Sequence, residues 1–125
     1  MPFRNDETHL SDILDCIANI TDFLGDMSFD AYTNDPKTRS AVERQFQVLT
    51  EAAIRLGDNA RALCPGIDWT GFRGMGNILR HAYHRIDDQI VWDTVKYNLP
   101  PMKEAVEKAL SSVSTPPAKT PEPSQ

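Results

Sequence analysis

Apolar residues recur along much of this chain at the three- and four-residue steps of an amphipathic helix. Leu10, Ile13, Leu14, Ile17, Ile20, Phe23 and Leu24 form the first such stripe, and Gly25 predicts its end. Asp35-Pro36 reads as the next start: Asp35 can cap free N–H groups, and Pro36 fits a first turn where its missing donor costs nothing. Val42, Phe46, Leu49, Ala53 and Leu56 give that helix its buried face. Its end is predicted near Leu63, because Pro65 disfavours helical geometry at Cys64 and Gly66 follows.

A third helix is predicted to open after Asp68, a candidate cap, and to run to about Tyr83 or Arg85. Asp87 or Asp88 can cap a fourth, holding Ile90, Val91, Trp92 and Val95. Pro100-Pro101 interrupts the pattern, and Met102, Val106 and Leu110 make a short fifth segment. With no internal repeat and no strand-like alternation of useful length, the expected architecture is all-α, a bundle of four to five helices.

The bundle is assigned to residues 1–113. Residues 114–125, STPPAKTPEPSQ, hold four prolines and no large apolar side chain. Such a tail cannot bury enough surface to offset its ordering entropy, so it is expected to be disordered.

At 125 residues the chain has room for one modest core, and its 40% hydrophobic and 25% charged content is that of a folded globular domain. No apolar run approaches the roughly 20 residues of a membrane-spanning helix, and MPFRNDETHL lacks the apolar segment of a secretory signal. The expectation is a cytoplasmic protein with no membrane partner. Cys16 and Cys64 stand far apart with no Cys or His at metal-ligand spacing, which predicts buried or idle thiols, no metal site and no cofactor. The net charge of −5 argues against a protein that coats nucleic acid non-specifically, since that mode needs many Lys and Arg contacts to phosphate; a local basic patch remains open.

One such patch exists. GNILRHAYHR, residues 76–85, packs two arginines and two histidines into ten positions without a carboxylate. On a wheel of about 100° per residue, Arg73, Asn77, Arg80 and His84 share a strip about 60° wide, with Met75, Ile78, Leu79 and Ala82 opposite. His81 and Tyr83 fall on the two borders, where a side chain can be held by packing while its tip reaches a ligand. Gly74 and Gly76 are costly inside a helix and are more easily tolerated where another backbone comes close, either a neighbouring helix or a second copy of the chain.

This surface suits anion recognition or, more sharply, phosphodiester cleavage. An imidazole near its ordinary pKa of about 6.5 can take a proton from a ribose 2′-OH or return one to the leaving oxygen. Guanidinium groups bind phosphate in a bidentate fork and stabilise charge building on phosphorus. A basic stripe is also the ordinary solvated face of a surface helix, and residue types alone leave catalysis, non-catalytic binding and plain scaffolding all open.

Taken in order, Ile67-Asp68-Trp69, Gly74-Met75-Gly76-Asn77-Ile78-Leu79-Arg80-His81-Ala82-Tyr83, Ile86-Asp87, Val91-Trp92-Asp93-Thr94-Val95 and Leu99-Pro100 resemble the HepT-like proteins of the HEPN superfamily. Ala41-Val42-Glu43-Arg44 and Glu51-Ala52 match the family's long second helix. The likeness spans roughly residues 8–112. It implies an all-α HEPN-like homodimer that cleaves RNA without a metal, the toxin of a toxin–antitoxin pair whose partner is an MNT-type nucleotidyltransferase. Such an antitoxin can neutralise its toxin by AMPylation of the tyrosine in the His-x-Tyr motif, here Tyr83. The candidate catalytic set in this chain is His81, Arg80, Arg73 and Asn77, with His84 and Arg85 as candidate RNA-binding residues. Where the family carries its catalytic arginine, this chain has Gly76. Arg73 or Arg80, from this copy or a dimer partner, could supply that charge; the alternative is a degenerate protein that binds a nucleotidyltransferase, RNA or a nucleotide.

Overall fold

The computed structural model describes residues 2–81 and 87–114, and every regular element among them is helical. In order these are α1 (Pro2–Leu24), α2 (Phe29–Thr33), α3 (Pro36–Leu56), α4 (Asp58–Leu63), α5 (Trp69–His81), α6 (Asp88–Asp93), a π-helical turn (Thr94–Asn98) and α7 (Leu99–Ser114). α3 is the centre of the packing: α1 lies along it, α5 packs on it, and α7 completes the core against α1.

At the starts of α3, α5 and α6 a carboxylate closes the first turn. Asp35 accepts from the Thr38 amide at 3.1 Å, with Pro36 in the first turn of α3. Asp68 accepts from the Gly71 amide at 2.9 Å at the start of α5, and Asp87 from the Gln89 amide at 2.8 Å at the start of α6. Each bond satisfies a donor that the helix leaves free at its N-terminus. α1 ends at Gly25, whose φ of 50° is available to glycine at little cost.

Leu10, Ile13, Ile17 and Ile20 from α1, Val42, Phe46 and Leu49 from α3, and Leu99, Met102 and Val106 from α7 make the buried centre. The expected stripes are therefore the packed ones, although Phe23, at 38% exposure, lies outside. Both cysteines are buried and free, and burial pushes each thiol up to about 11.

Several boundaries differ from expectation. Gly57, with φ 57°, ends α3, and α4 begins at Asp58, so the predicted run to Leu63 is two helices. The short α2 was not anticipated; Ser28 Oγ accepts from the Ala31 amide at 3.1 Å, and the buried Tyr32 ring meets Trp92 at a centroid distance of 5.5 Å. Pro100 and Pro101 do not separate two segments. The π turn runs directly into α7, with the Leu99 N–H donating to the Thr94 carbonyl, so both prolines fall in the first turn of α7, where lost donors are tolerated. Ser114, assigned to the tail, is instead the last residue of α7, and residues 115–125 lie outside the described residues.

Among the described residues no helix is long and apolar enough to cross a membrane. No three His, Cys, Asp or Glu side chains among them gather where a metal ion could sit.

Candidate functional site

α5 carries the site, and two contacts fix its start: the Asp68 cap and the Trp69 indole N–H, which donates to the Cys64 carbonyl at 3.2 Å. Trp69, Phe72, Gly76 and Leu79 face the core. Arg73, Asn77, Arg80 and His81 are all exposed on the remaining arc. Arg73, Asn77 and Arg80 of the expected polar strip are thus at the surface, but the apolar face is rotated among the described residues. Ile78, expected inside, is 47% exposed, and Met75 is half-buried. The rotation goes with Gly76, which carries no hydrophobic side chain and yet is buried against Thr50 of α3.

That approach is tight. A Cβ on Gly76 would collide with the Oγ1, Cβ and Cγ2 atoms of Thr50 on α3. Thr50 is itself fully buried, and its hydroxyl donates to the Gln47 carbonyl at 3.0 Å, which holds the side chain in place. The expected approach of another backbone is replaced at Gly76 by the approach of a side chain, that of Thr50. The expectation fails at Gly74, where an added Cβ would meet nothing within 4 Å.

Toward the end of α5, Gln47 Nε2 donates to the Leu79 carbonyl at 2.9 Å, tying the turn that bears Arg80 and His81 to α3. Arg80 Nη1 lies 3.9 Å from Glu51 Oε1, and the other oxygen of Glu51 is 3.5 Å from Arg55 Nη2. A cavity of about 540 Å³ opens here, lined by His9 and Asp12 of α1, Arg44, Glu51 and Arg55 of α3, and Arg80 of α5, among others. Sequence reasoning missed this side of the site. The resemblance marks Arg44 and Glu51 on the second helix but does not join them to Arg80, since Glu51 and Arg80 are 29 positions apart and nothing local links them.

Consecutive residues point about 100° apart on a helix, so Arg80 leans over α3 while His81 stands toward solvent. Arg73 and Arg80, seven residues apart, are separated by about 10 Å along the axis and project from nearly the same side. The arrangement can present two guanidinium groups along a polyanion with an imidazole beside them. Tyr83, His84 and Arg85, the predicted modification and RNA-binding residues, lie outside the described residues, as do Ala82 and Ile86.

A second polar cluster lies elsewhere, between α2, α3 and α6. Arg39 Nη1 is 3.4 Å from Asp88 Oδ2, and Tyr32 and Glu43 lie in the same electrostatic neighbourhood. Burial raises the Tyr32 hydroxyl well above its ordinary value and also raises Glu43, with Asp88 adding repulsion to both.

A compact all-α domain with a surface ridge of arginine, asparagine and histidine is the class that fold and site define. Residues 13–109 match the family described as Ribonuclease HepT-like. The chain belongs to that family, and its fold is the HEPN-like all-α one. It is 32% identical over 105 residues to a Thermococcus cleftensis protein named "Probable ribonuclease HepT", covering 84% of this chain and 96% of that one. A Methanocaldococcus jannaschii protein with a provisional RNase name is 32% identical over 113 residues, covering 90% of this chain and 93% of the relative. A second protein from that organism, also provisionally named as an RNase, gives 32% over 113 residues, with coverages of 90% and 97%. No solved structure matches the chain.

Proposed function

We propose that this protein is a metal-independent endoribonuclease, the toxin of a toxin–antitoxin pair, acting as a homodimer through the exposed ridge of α5. The observation that carries the reading is the common exposure of His81, Asn77, Arg73 and Arg80 on one helix of a ribonuclease-family domain. His81 serves as general acid or base. In cleavage, a ribose 2′-oxygen gives up its proton as it attacks phosphorus, the bond from phosphorus to the 5′-oxygen breaks, and a proton is returned to that leaving oxygen. Arg80 and Arg73 hold the phosphate and offset the charge that builds on it, and Asn77 orients the scissile group.

Gly76 cannot be the site of a guanidinium, and Thr50 fills the space beside it. Arg80, one turn further on, is therefore the residue assigned that charge, with Arg73 in support. The neutralising partner is a nucleotidyltransferase that adds AMP to Tyr83, setting negative charge and bulk beside the basic ridge and so repelling RNA phosphate. His84 and Arg85 extend the RNA contact.

Incubation of the purified protein with RNA, with and without EDTA, tests this reading. Cleavage that persists in EDTA and falls about 10²- to 10⁴-fold in His81→Ala is the expected result. Co-expression with a nucleotidyltransferase of the proposed kind should add AMP to Tyr83, detected by mass, and Tyr83→Phe should escape neutralisation. The departure at Gly76 supports a second reading, a non-cutting module that binds the transferase, RNA or a nucleotide. Under it no RNA is cut, and Arg80→Glu weakens association alone.

A further inference from the structure

We propose that the cavity between α1, α3 and α5 is a seat for an RNA backbone phosphate, and that Glu51 occupies it in the free protein as an intramolecular competitor. This rests on the ribonuclease reading above and adds the residues that would admit the strand. Three guanidinium groups, of Arg44, Arg55 and Arg80, line a cavity of about 540 Å³. The Glu51 carboxylate lies between two of them, 3.5 Å from Arg55 and 3.9 Å from Arg80, with its side chain still 48% exposed. Both separations are at the long end of ion pairing, and an exposed pair of this kind is held weakly.

A phosphate offers the same partners more oxygens in a geometry that suits guanidinium forks. Arg44 is kept within reach by its bond to Gln47 Oε1 at 3.1 Å, and Gln47 in turn holds the Leu79 carbonyl. The seat is therefore tied to the turn of α5 that bears His81. Replacing Glu51 with an uncharged isostere lifts the charged lining from one net positive charge to two, counting the arginines against Asp12 and Glu51. The variant keeps the shape and loses only the competing charge.

The experiment measures binding of a labelled single-stranded oligoribonucleotide to the full chain in a His81→Ala background, so that turnover plays no part. Glu51→Gln should tighten binding about fivefold to tenfold, and the salt dependence should steepen by roughly 0.7 in logarithmic slope, the contribution of one more neutralised phosphate. In an Arg44→Ala/Arg55→Ala background the gain should vanish, since the residues act on one another. Unchanged or weaker binding in Glu51→Gln overturns the proposal, and so does a gain that survives loss of both arginines. Inorganic phosphate and pyrophosphate form the second arm: tightening toward these without tightening toward the oligonucleotide overturns the backbone assignment. A wild-type protein that cuts RNA while Glu51→Gln changes no affinity sinks the seat and leaves the nuclease standing. One that never cuts, yet gains affinity in Glu51→Gln, leaves the seat and sinks the nuclease.

Discussion

Thr50 fills the space that any side chain at position 76 would need. Alanine replaces glycine in most helix interiors with a gain of up to about 1 kcal/mol, because it loses less entropy on folding. At Gly76 the collision decides the sign, and Gly76→Ala should destabilise the protein by about 1–3 kcal/mol, the usual range for overpacking. Gly76→Arg should cost more. Trimming the neighbour in Thr50→Gly should recover much of the loss, whereas Gly74→Ala, which meets open space, should stabilise by roughly 0.5–1 kcal/mol. Urea unfolding of the four single variants and the Gly76→Ala/Thr50→Gly pair checks all of this.

Gln47 holds the last described turn of α5 by its bond to the Leu79 carbonyl. Gln47→Leu keeps much of the bulk and removes the donor, at a cost of about 0.5–1.5 kcal/mol. Hydrogen exchange should speed up in residues 79–81, while Trp69 and Phe72 amides, which lie near the Asp68 cap, keep their protection. Uniform protection along α5 would show that this bond does not set the position of the turn.

The Asp35 cap gives a pH dependence with a defined direction. Its bonds from the Thr38 amide and hydroxyl hold the carboxyl below its ordinary value of 3.8. A group with a lowered folded pKa contributes its stability above the unfolded value and loses it as pH falls through the folded one. The Asp35→Ala protein should melt several degrees lower than wild type at pH 7, and the gap should close as pH is taken below 3.8, as scanning calorimetry at a series of pH values would reveal.

Cys16 and Cys64 should resist thiol reagents while the protein is folded. Burial is the first cause of their raised pKa, to about 11, and little thiolate exists at neutral pH. Labelling by a maleimide should follow global unfolding and rise with urea along the unfolding curve. Rapid labelling of either thiol in buffer would contradict the packing described for α1 and α4.

Much of the fold was legible because its signals are local. The Asp35-Pro36 and Asp68 caps, the cap at Asp87 or Asp88, the Gly25 stop and the apolar stripes of α1 and α3 each depend on residues within one or two turns. What escaped was set by tertiary contact or by segments too short for periodicity. Five residues of α2 cannot display a helical repeat, and the break at Gly57 is masked by the apolar residues Ala60 and Leu63 that continue the pattern beyond it. The orientation of α5 was misread because hydropathy gives Gly76 no weight, whereas its lack of a side chain lets α5 sit on Thr50 and turns Ile78 outward. The Glu51–Arg80 pairing belongs to the same class, being a product of packing between distant stretches.

Gln47, Thr50 and Glu51 occupy a single turn of α3, and each meets α5 in a different way: one by a hydrogen bond, one by shape, one by charge. α1 packs along the same α3. The turn therefore acts as a fulcrum. A slight roll of α3, imposed by repacking Leu10 or Ile13, would alter anchoring, clearance and ionic pairing of α5 together, so that substitutions buried in the core would shift the ridge without touching it.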